Sequence, residues 1–305
     1  MREADGLLCC YGGKARIAHK LVQHFPKGPT CYVESFFGGG GIFYSVPEQL
    51  YPVQVINDLN SSIVTFYRVL RTRPEELLRV CSLTPFAMDE QRSCRDAAGD
   101  PEDELEIARR VWVRQRQNFG ARQHPSAGWR RGTTTHSLAR ATELKLGEFE
   151  RFARRMLSVE INNTDAVELI KTYSKPGVMI YNDPPYYPET RTTNNDYLCE
   201  MSPEHHQKLS AVLHAASDAG AYVAISGYDC PFYNENYGSW RRVEYAHFVS
   251  STNFVSSEDR ARTEVMWMNY PANLEIGPAW QPPAKPSNSR EKALLRLIQQ
   301  QGLSK

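Results

Sequence analysis

"TCYVESFFGGGG", Thr30 to Gly41, decides the fold. Its first half, "TCYVES" (30–35), reads as a strand, and the second holds the densest glycine cluster in the chain. A strand that empties into glycine lets the backbone approach a ligand closely at the sheet's end. The cluster is GGGG rather than G-x-G-x-x-G, so tight-turn packing explains it as well as ligand binding does. Before it, "RIAHKLVQHF" (16–25) has apolar residues at helical spacing and Pro26 as a stop. After it, "VQVI" (53–56) is a second strand ending in "NDLN", and "SSIVTFYRVL" (61–70) is a helix. Glycine loops and acids at strand ends mark an α/β nucleotide-binding fold. Asp58, 24 residues after Glu34, stands where such folds bind ribose hydroxyls. It is also a candidate helix N-cap, a role that Asn57, Asn60 or Ser61 fills as well. Glu34 ends the first strand, and a buried carboxylate there needs a partner. A cationic ligand or backbone amides would serve, and Lys14 in "YGGK" (11–14) is a positive group for the same mouth.

The α/β rhythm resumes late. "MLSVEINN" (156–163), "VMIY" (178–181), "AYVAISG" (221–227) and "TEVMWMNY" (263–270) read as strands. A helix between the second and third of these has Ser202 as N-cap, Pro203 at its first position and Gly220 past its end. Residues 72–150 break the pattern and are expected to form an inserted, mainly helical subdomain. The catalytic domain is then discontinuous, 1–71 and 151–275, and 276–305 is a linker with a short tail helix. The insert is charged unevenly. Residues 86–107 carry eight acids and two arginines; residues 109–140 carry eight arginines and no acid. Arginines interleaved with Trp112, Phe119 and Trp129 make a candidate nucleic-acid surface, or a solvated helix and loop with chance clustering.

"VMIYNDPPYYPETR" (178–191) carries the chemistry. A carboxylate at a strand's carboxyl end lies in the crevice where open α/β sheets bind ligands. Two prolines fix the backbone and donate no hydrogen bond, so Asp183 and the carbonyl of Pro184 are stiffly aimed acceptors. Acceptors in a row suit an exocyclic NH2 group, and Tyr186 offers a flat surface to the ring that bears it. A turn with surface tyrosines is the plain alternative. Net charge is +1, so the molecule is no polycation, and no apolar run approaches the length of a membrane span. The N-terminus lacks a secretory pattern, and seven cysteines without paired spacing predict reduced thiols in a cytosolic protein. Cys9-Cys10 and His205-His206 are adjacent pairs that point apart in a strand, so no metal is expected.

Taken in order, "YGGK", "YVESFFGGGGIFYS" (32–45), "INDLN" (56–60), "DPPY" (183–186) and "EVMWMN" (264–269) resemble the Dam/DpnM-type DNA adenine methyltransferases. The likeness spans about 11 to 270, with a phage and prophage flavour in "RVLRTRPEELLRV", "LTPF" and "ISGYDCPFY". The resemblance implies a Rossmann-like sheet bearing a DNA-recognition insert, working in the cytoplasm of a bacterial or phage-infected cell. It implies methyl transfer from S-adenosylmethionine to N6 of an adenine flipped out of double-stranded DNA. It gives catalytic roles to Asp183, Pro184, Pro185 and Tyr186. Cofactor contacts fall on Tyr11, Gly13, Lys14, Glu34, Phe36, Phe37, Gly38, Gly39, Gly40, Asp58, Asp165, Ala166 and Asp183. The candidate DNA contacts in the insert are Arg114, Arg116, Arg122, Arg130 and Arg131. Ser35 stands where the family often has proline, and Tyr11 where many members have a tryptophan nearby. Methylation of another amine (cytosine N4 or an RNA adenine) and non-catalytic DNA binding are the alternatives.

Overall fold

The computed structural model describes residues 6–8, 14–96, 103–121, 127–132, 137–190, 199–248 and 261–277. A 3-10 turn (Lys14–Arg16) leads into helix α1 (Ala18–Val22), strand β1 (Cys31–Glu34), strand β2 (Val53–Asn57) and helix α2 (Ser61–Thr72). Five helices follow: α3 (Pro74–Leu83), α4 (Met88–Asp96), α5 (Glu104–Gln117), α6 (Leu138–Leu146) and α7 (Phe149–Met156). The α/β pattern then returns with β3 (Val159–Asn162), α8 (Ala166–Tyr173), β4 (Val178–Asn182), α9 (Pro203–Asp218) and β5 (Tyr222–Tyr228). Helix α10 (Pro231–Tyr237) and strands β6 (Arg241–Phe248) and β7 (Ala261–Met268) complete it.

The sheet has seven strands in the order β3-β2-β1-β4-β5-β7-β6. Strands β1 to β5 are parallel, β7 is antiparallel to β5, and β6 is antiparallel to β7. The chain order reverses between β1 and β4, where Glu34 lies opposite Tyr181. In a doubly wound sheet that reversal opens a crevice at the strands' carboxyl ends. Both motifs that the sequence singles out, the glycine loop after β1 and the prolines after β4, leave the sheet at this point.

Strands buried on both faces need apolar residues at consecutive positions. β4 is buried at all five. Its side chains alternate between two cores: Met179 and Tyr181 join the one under α1, α2, α5 and α7, while Val178 and Ile180 join the one under α8 to α10. Helix α2 starts where Asn60 accepts hydrogen bonds from the N–H groups of Ser62 and Ile63, a cap that contributes about 1 kcal/mol. That settles the cap among the alternatives above and leaves Asp58 for another use. Ser202 caps α9 as expected, and Gly220 turns the chain after it with a left-handed φ of 87°.

The described part of residues 72–150 is mainly helical, and these helices share the core of the sheet. Leu77, Ala108, Val111, Trp112 and Phe149 belong to the same apolar cluster as Ile56 and Met179 of the sheet. Trp112 packs edge-on against Phe149 at 5.0 Å. The helix expected over 16–25 shrinks to α1 after its 3-10 turn. Strand β6 went unread because "RRVEYAHF" is charged, as an edge strand that must resist further pairing often is. The tail helix expected near 290–301 lies outside the described residues.

Candidate active site

On the face toward α1, the residues at the carboxyl ends of the strands stop being apolar. Glu34 on β1, Tyr181 on β4 and Ser226 on β5 are all buried there, as is Glu264 on antiparallel β7. Burying polar groups costs free energy unless they are paired. Here they are joined. Tyr181 Oη and Ser226 Oγ are 2.9 Å apart, and Ser226 Oγ donates to Asp183 Oδ1 at 3.0 Å. Lys14 Nζ donates to the same Oδ1 at 2.7 Å and to Tyr186 Oη at 2.8 Å, and lies 3.1 Å from Glu264 Oε1. Tyr186 Oη donates in turn to Glu264 Oε2 at 3.3 Å.

Burial opposes the charge on Lys14, but Asp183 and Glu264 outweigh it and hold its pKa well above the ordinary lysine value. Burial pushes Glu264 up to about 7, with Asp183 adding repulsion against the pull of Lys14. Asp183 keeps a partly exposed carboxylate. Its Oδ1 is engaged twice, and its Oδ2 has no hydrogen-bond partner among the described residues.

Tyr186 differs from the open ring that the sequence led us to expect. It is 5% exposed and stacks on Tyr228 at 4.2 Å with 22° between the planes. Its hydroxyl, tethered to Lys14 and Glu264, holds the ring in. Tyr187 packs flat on Phe232 at 4.6 Å. Pro184 is buried and Pro185 half-buried.

The glycine loop is tied to the next strand. Asp58 Oδ2 accepts from the Gly38 N–H at 2.8 Å and Oδ1 from Asn60 at 2.9 Å. Burial raises the Asp58 pKa against these bonds. Gly38 and Gly40 have left-handed φ of 50° and 70°, and a Cβ on Gly40 would meet Phe37 and Tyr44 at 2.8 Å. Phe37, Asp58, Tyr67, Ile161 and Asn162 line a crevice beside the loop. Phe36 is half-buried against the other core. Glu34 accepts from Tyr32 Oη at 2.7 Å. Burial and then Asp183 hold its carboxyl well above the usual range, despite that bond and the nearby Phe43 backbone. The partner that the sequence required is therefore internal. Asp165 is an exposed N-cap of α8, and Ala166 is that helix's first residue. Neither lines the crevice. Tyr11 and Gly13 lie outside the described residues, as does most of "TTNNDYLCE".

The expected arginine surface needs correction. Arg116 is buried, donates to the Leu7 carbonyl and stacks 4.6 Å over Trp112. Arg109 pairs with Glu90 and Glu106, and Arg110 with Glu106. The Arg109–Glu90 pair joins α5 to α4, and the pairs with Glu106 lie within α5. Arg114 and Arg130 are half-buried, Arg131 is exposed, and Arg122 lies outside the described residues. Sequence reasoning missed Ser226, Tyr228 and the role of Glu264. The only signal was a polar residue inside an apolar strand, twice. Among the described residues no group of His, Cys, Asp and Glu is placed to hold a metal, and no helix is long and apolar enough to cross a membrane.

A doubly wound sheet with a glycine loop and a tethered carboxylate at its switch point is the arrangement in which open α/β sheets bind nucleotide cofactors. The model of the D12 class N6 adenine-specific DNA methyltransferases matches residues 11–251, and the chain belongs to that family. It is an adenine-specific DNA methyltransferase with S-adenosylmethionine as cofactor. The Type II methyltransferase M1.LlaDCHI of Lactococcus lactis subsp. cremoris is 25% identical over 85% of this chain and 93% of its own. The DNA adenine methylase of Escherichia coli K12 is 29% identical over 26% of this chain and 27% of its own. The DNA N-6-adenine-methyltransferase of Escherichia phage P1 is 25% identical over 76% of this chain and 31% of its own. Among solved structures, a SAM-dependent methyltransferase from Agrobacterium tumefaciens covers 84% of this chain and 60% of its own at 9% identity. Its TM-score of 0.33 is too low to carry an argument.

Proposed function

We propose that Asp183 and the Pro184 carbonyl accept the two hydrogens of the N6 amine of an adenine turned out of double-stranded DNA, and that the methyl group passes directly to that nitrogen. One observation carries this reading: Lys14 and Ser226 both hold Asp183 Oδ1, which leaves Oδ2 as the acceptor offered outward. The amine is a poor nucleophile because its lone pair is delocalised into the ring. Two hydrogen bonds in the amine's plane localise that pair and aim it. Bound S-adenosylmethionine supplies an electrophilic methyl on a sulfonium. Alignment of the two substrates then contributes up to about 7–11 kcal/mol. Adenine is out of reach inside a duplex, so the base is flipped at a cost of a few kcal/mol. Stacking on Tyr186 offsets about 1–3 kcal/mol of that, once the ring is uncovered.

The crevice residues suit the cofactor: apolar walls for a flat ring and Asp58 for ribose hydroxyls. The Cβ-intolerant turn at Gly40 lets the backbone close in. Glu34, Phe36, Phe37, Gly38, Gly39 and Gly40 form the wall on the β1 side in this reading, and Asp165 and Ala166 the outer rim. The insert, 72–150, reads the DNA sequence in this reading, with the exposed Arg131 and the half-buried Arg130 and Arg114 as candidate contacts.

The test is Asp183→Ala, assayed with labelled methyl donor, DNA and nucleoside analysis. Loss of N6-methyladenine by 10³-fold or more, with an unchanged melting curve and intact donor binding, is expected. Turnover within tenfold of the parent would refute the amine-clamp reading.

A further inference from the structure

Glu264 is a charged member of the buried network that the reading above leaves without a task. It sits on β7 with Met266 and Met268 as its neighbours on the same face, and it is 1% exposed. Desolvating a second carboxylate beside Asp183 is costly, and one lysine cannot neutralise both. A neutral acceptor would hold Lys14 without the surplus charge. The surplus therefore calls for a use other than stability.

The geometry supplies it. Glu264 Oε1 lies 3.1 Å from Lys14 Nζ, and Oε2 accepts from Tyr186 Oη at 3.3 Å. Lys14 also donates to Asp183 and to Tyr186 Oη. One carboxylate thus grips both the cation that sets the amine acceptor and the ring assigned to the base. We propose that Glu264 is a positioning residue for methyl transfer, acting through Lys14 on Asp183 and through the hydroxyl on Tyr186. This rests on the role given to Asp183 above. Glu264 touches no substrate in this arrangement. The charged and titratable groups that face it are Lys14 from the N-terminal turn, Asp183 and Tyr186 from the segment after β4, and its register partners Tyr228 on β5 and Tyr245 on β6. Burial first, then Asp183, puts its titration near neutrality, so the proper geometry holds above about pH 7 and weakens below it.

The experiment is a double-mutant cycle on the full chain with Glu264→Gln, Lys14→Met and the pair, reading kcat, donor KM and the pH profile. Glu264→Gln is expected to lower kcat 10- to 100-fold, leave donor KM within twofold and abolish an acid limb near pH 7. In the Lys14→Met background it should cost less than threefold more, because the route through Lys14 is already broken and only the tether on Tyr186 is left to lose. A kcat within twofold of the parent overturns the proposal, and so do losses that multiply. Should Glu264→Gln not fold, Glu264→Asp keeps the charge one methylene short: a tenfold fall in kcat supports the proposal and an unchanged kcat overturns it. If Asp183→Ala stays active, the amine clamp itself fails. If only the Glu264 variants are normal, this inference alone does.

Discussion

Replacing Lys14 by methionine tests the network where its charges meet. The lysine is 4% exposed and stands 2.7 Å from Asp183 and 3.1 Å from Glu264. At an effective dielectric of about 20, each contact is worth roughly 5–6 kcal/mol of attraction. Desolvation of the three groups offsets most of it. Removing the cation alone leaves two carboxylates close together with no counter-charge, which costs about 3–5 kcal/mol. The cost depends on pH. Glu264 has a raised pKa, near 7, and losing Lys14 raises it further. As pH falls through that value the carboxylate takes a proton and the repulsion is relieved. The sign is that of any acid whose pKa is raised by folding: its unfavourable contribution is absent below the unfolded value and complete above the folded one. Lys14→Met should therefore lower the melting temperature by roughly 6–15 °C at pH 8 and by clearly less at pH 6. Adding Glu264→Gln should restore part of the loss at pH 8. The assay is thermal unfolding at both pH values. Equal losses at pH 6 and 8, or no rescue by the second substitution, would show that Lys14 is not the shared counter-charge of Asp183 and Glu264.

Tyr186→Phe keeps the ring on Tyr228 and removes only the hydroxyl, so methylation should fall less than tenfold, against 100-fold or more for Tyr186→Ala; equal losses in steady-state assays argue against a ring role. Arg131→Glu should weaken DNA binding and flatten its dependence on salt, while Arg116→Ala should lower stability by about 2–4 kcal/mol, as binding isotherms and urea unfolding will tell. Gly40→Ala forces a left-handed φ and a 2.8 Å clash; calorimetry should show donor affinity at least tenfold weaker.

Legibility followed range. The strands around "CYVE", "VQVIN" and "VMIYN" read correctly because a strand buried on both faces needs consecutive apolar residues, a local requirement. The cap at Ser202 was legible too, since a cap bonds only two or three residues away, whereas Asn60 was one of four candidates for α2. Arg116 was misread because nothing near it in sequence reveals that Trp112 and the Leu7 carbonyl enclose it. Charge counts along 86–140 suggested a basic face, and helix packing turned much of it inward.

The sequence by itself determined the doubly wound sheet, the ordered motifs and the family, because each is written in short stretches whose geometry is local. Only the tertiary structure decided what surrounds Asp183. Lys14 lies 169 residues away and Ser226 43 residues away, and Glu264 comes from an antiparallel strand on another element. Their meeting depends on strand order and on which face each side chain takes, and no spacing along the chain encodes that.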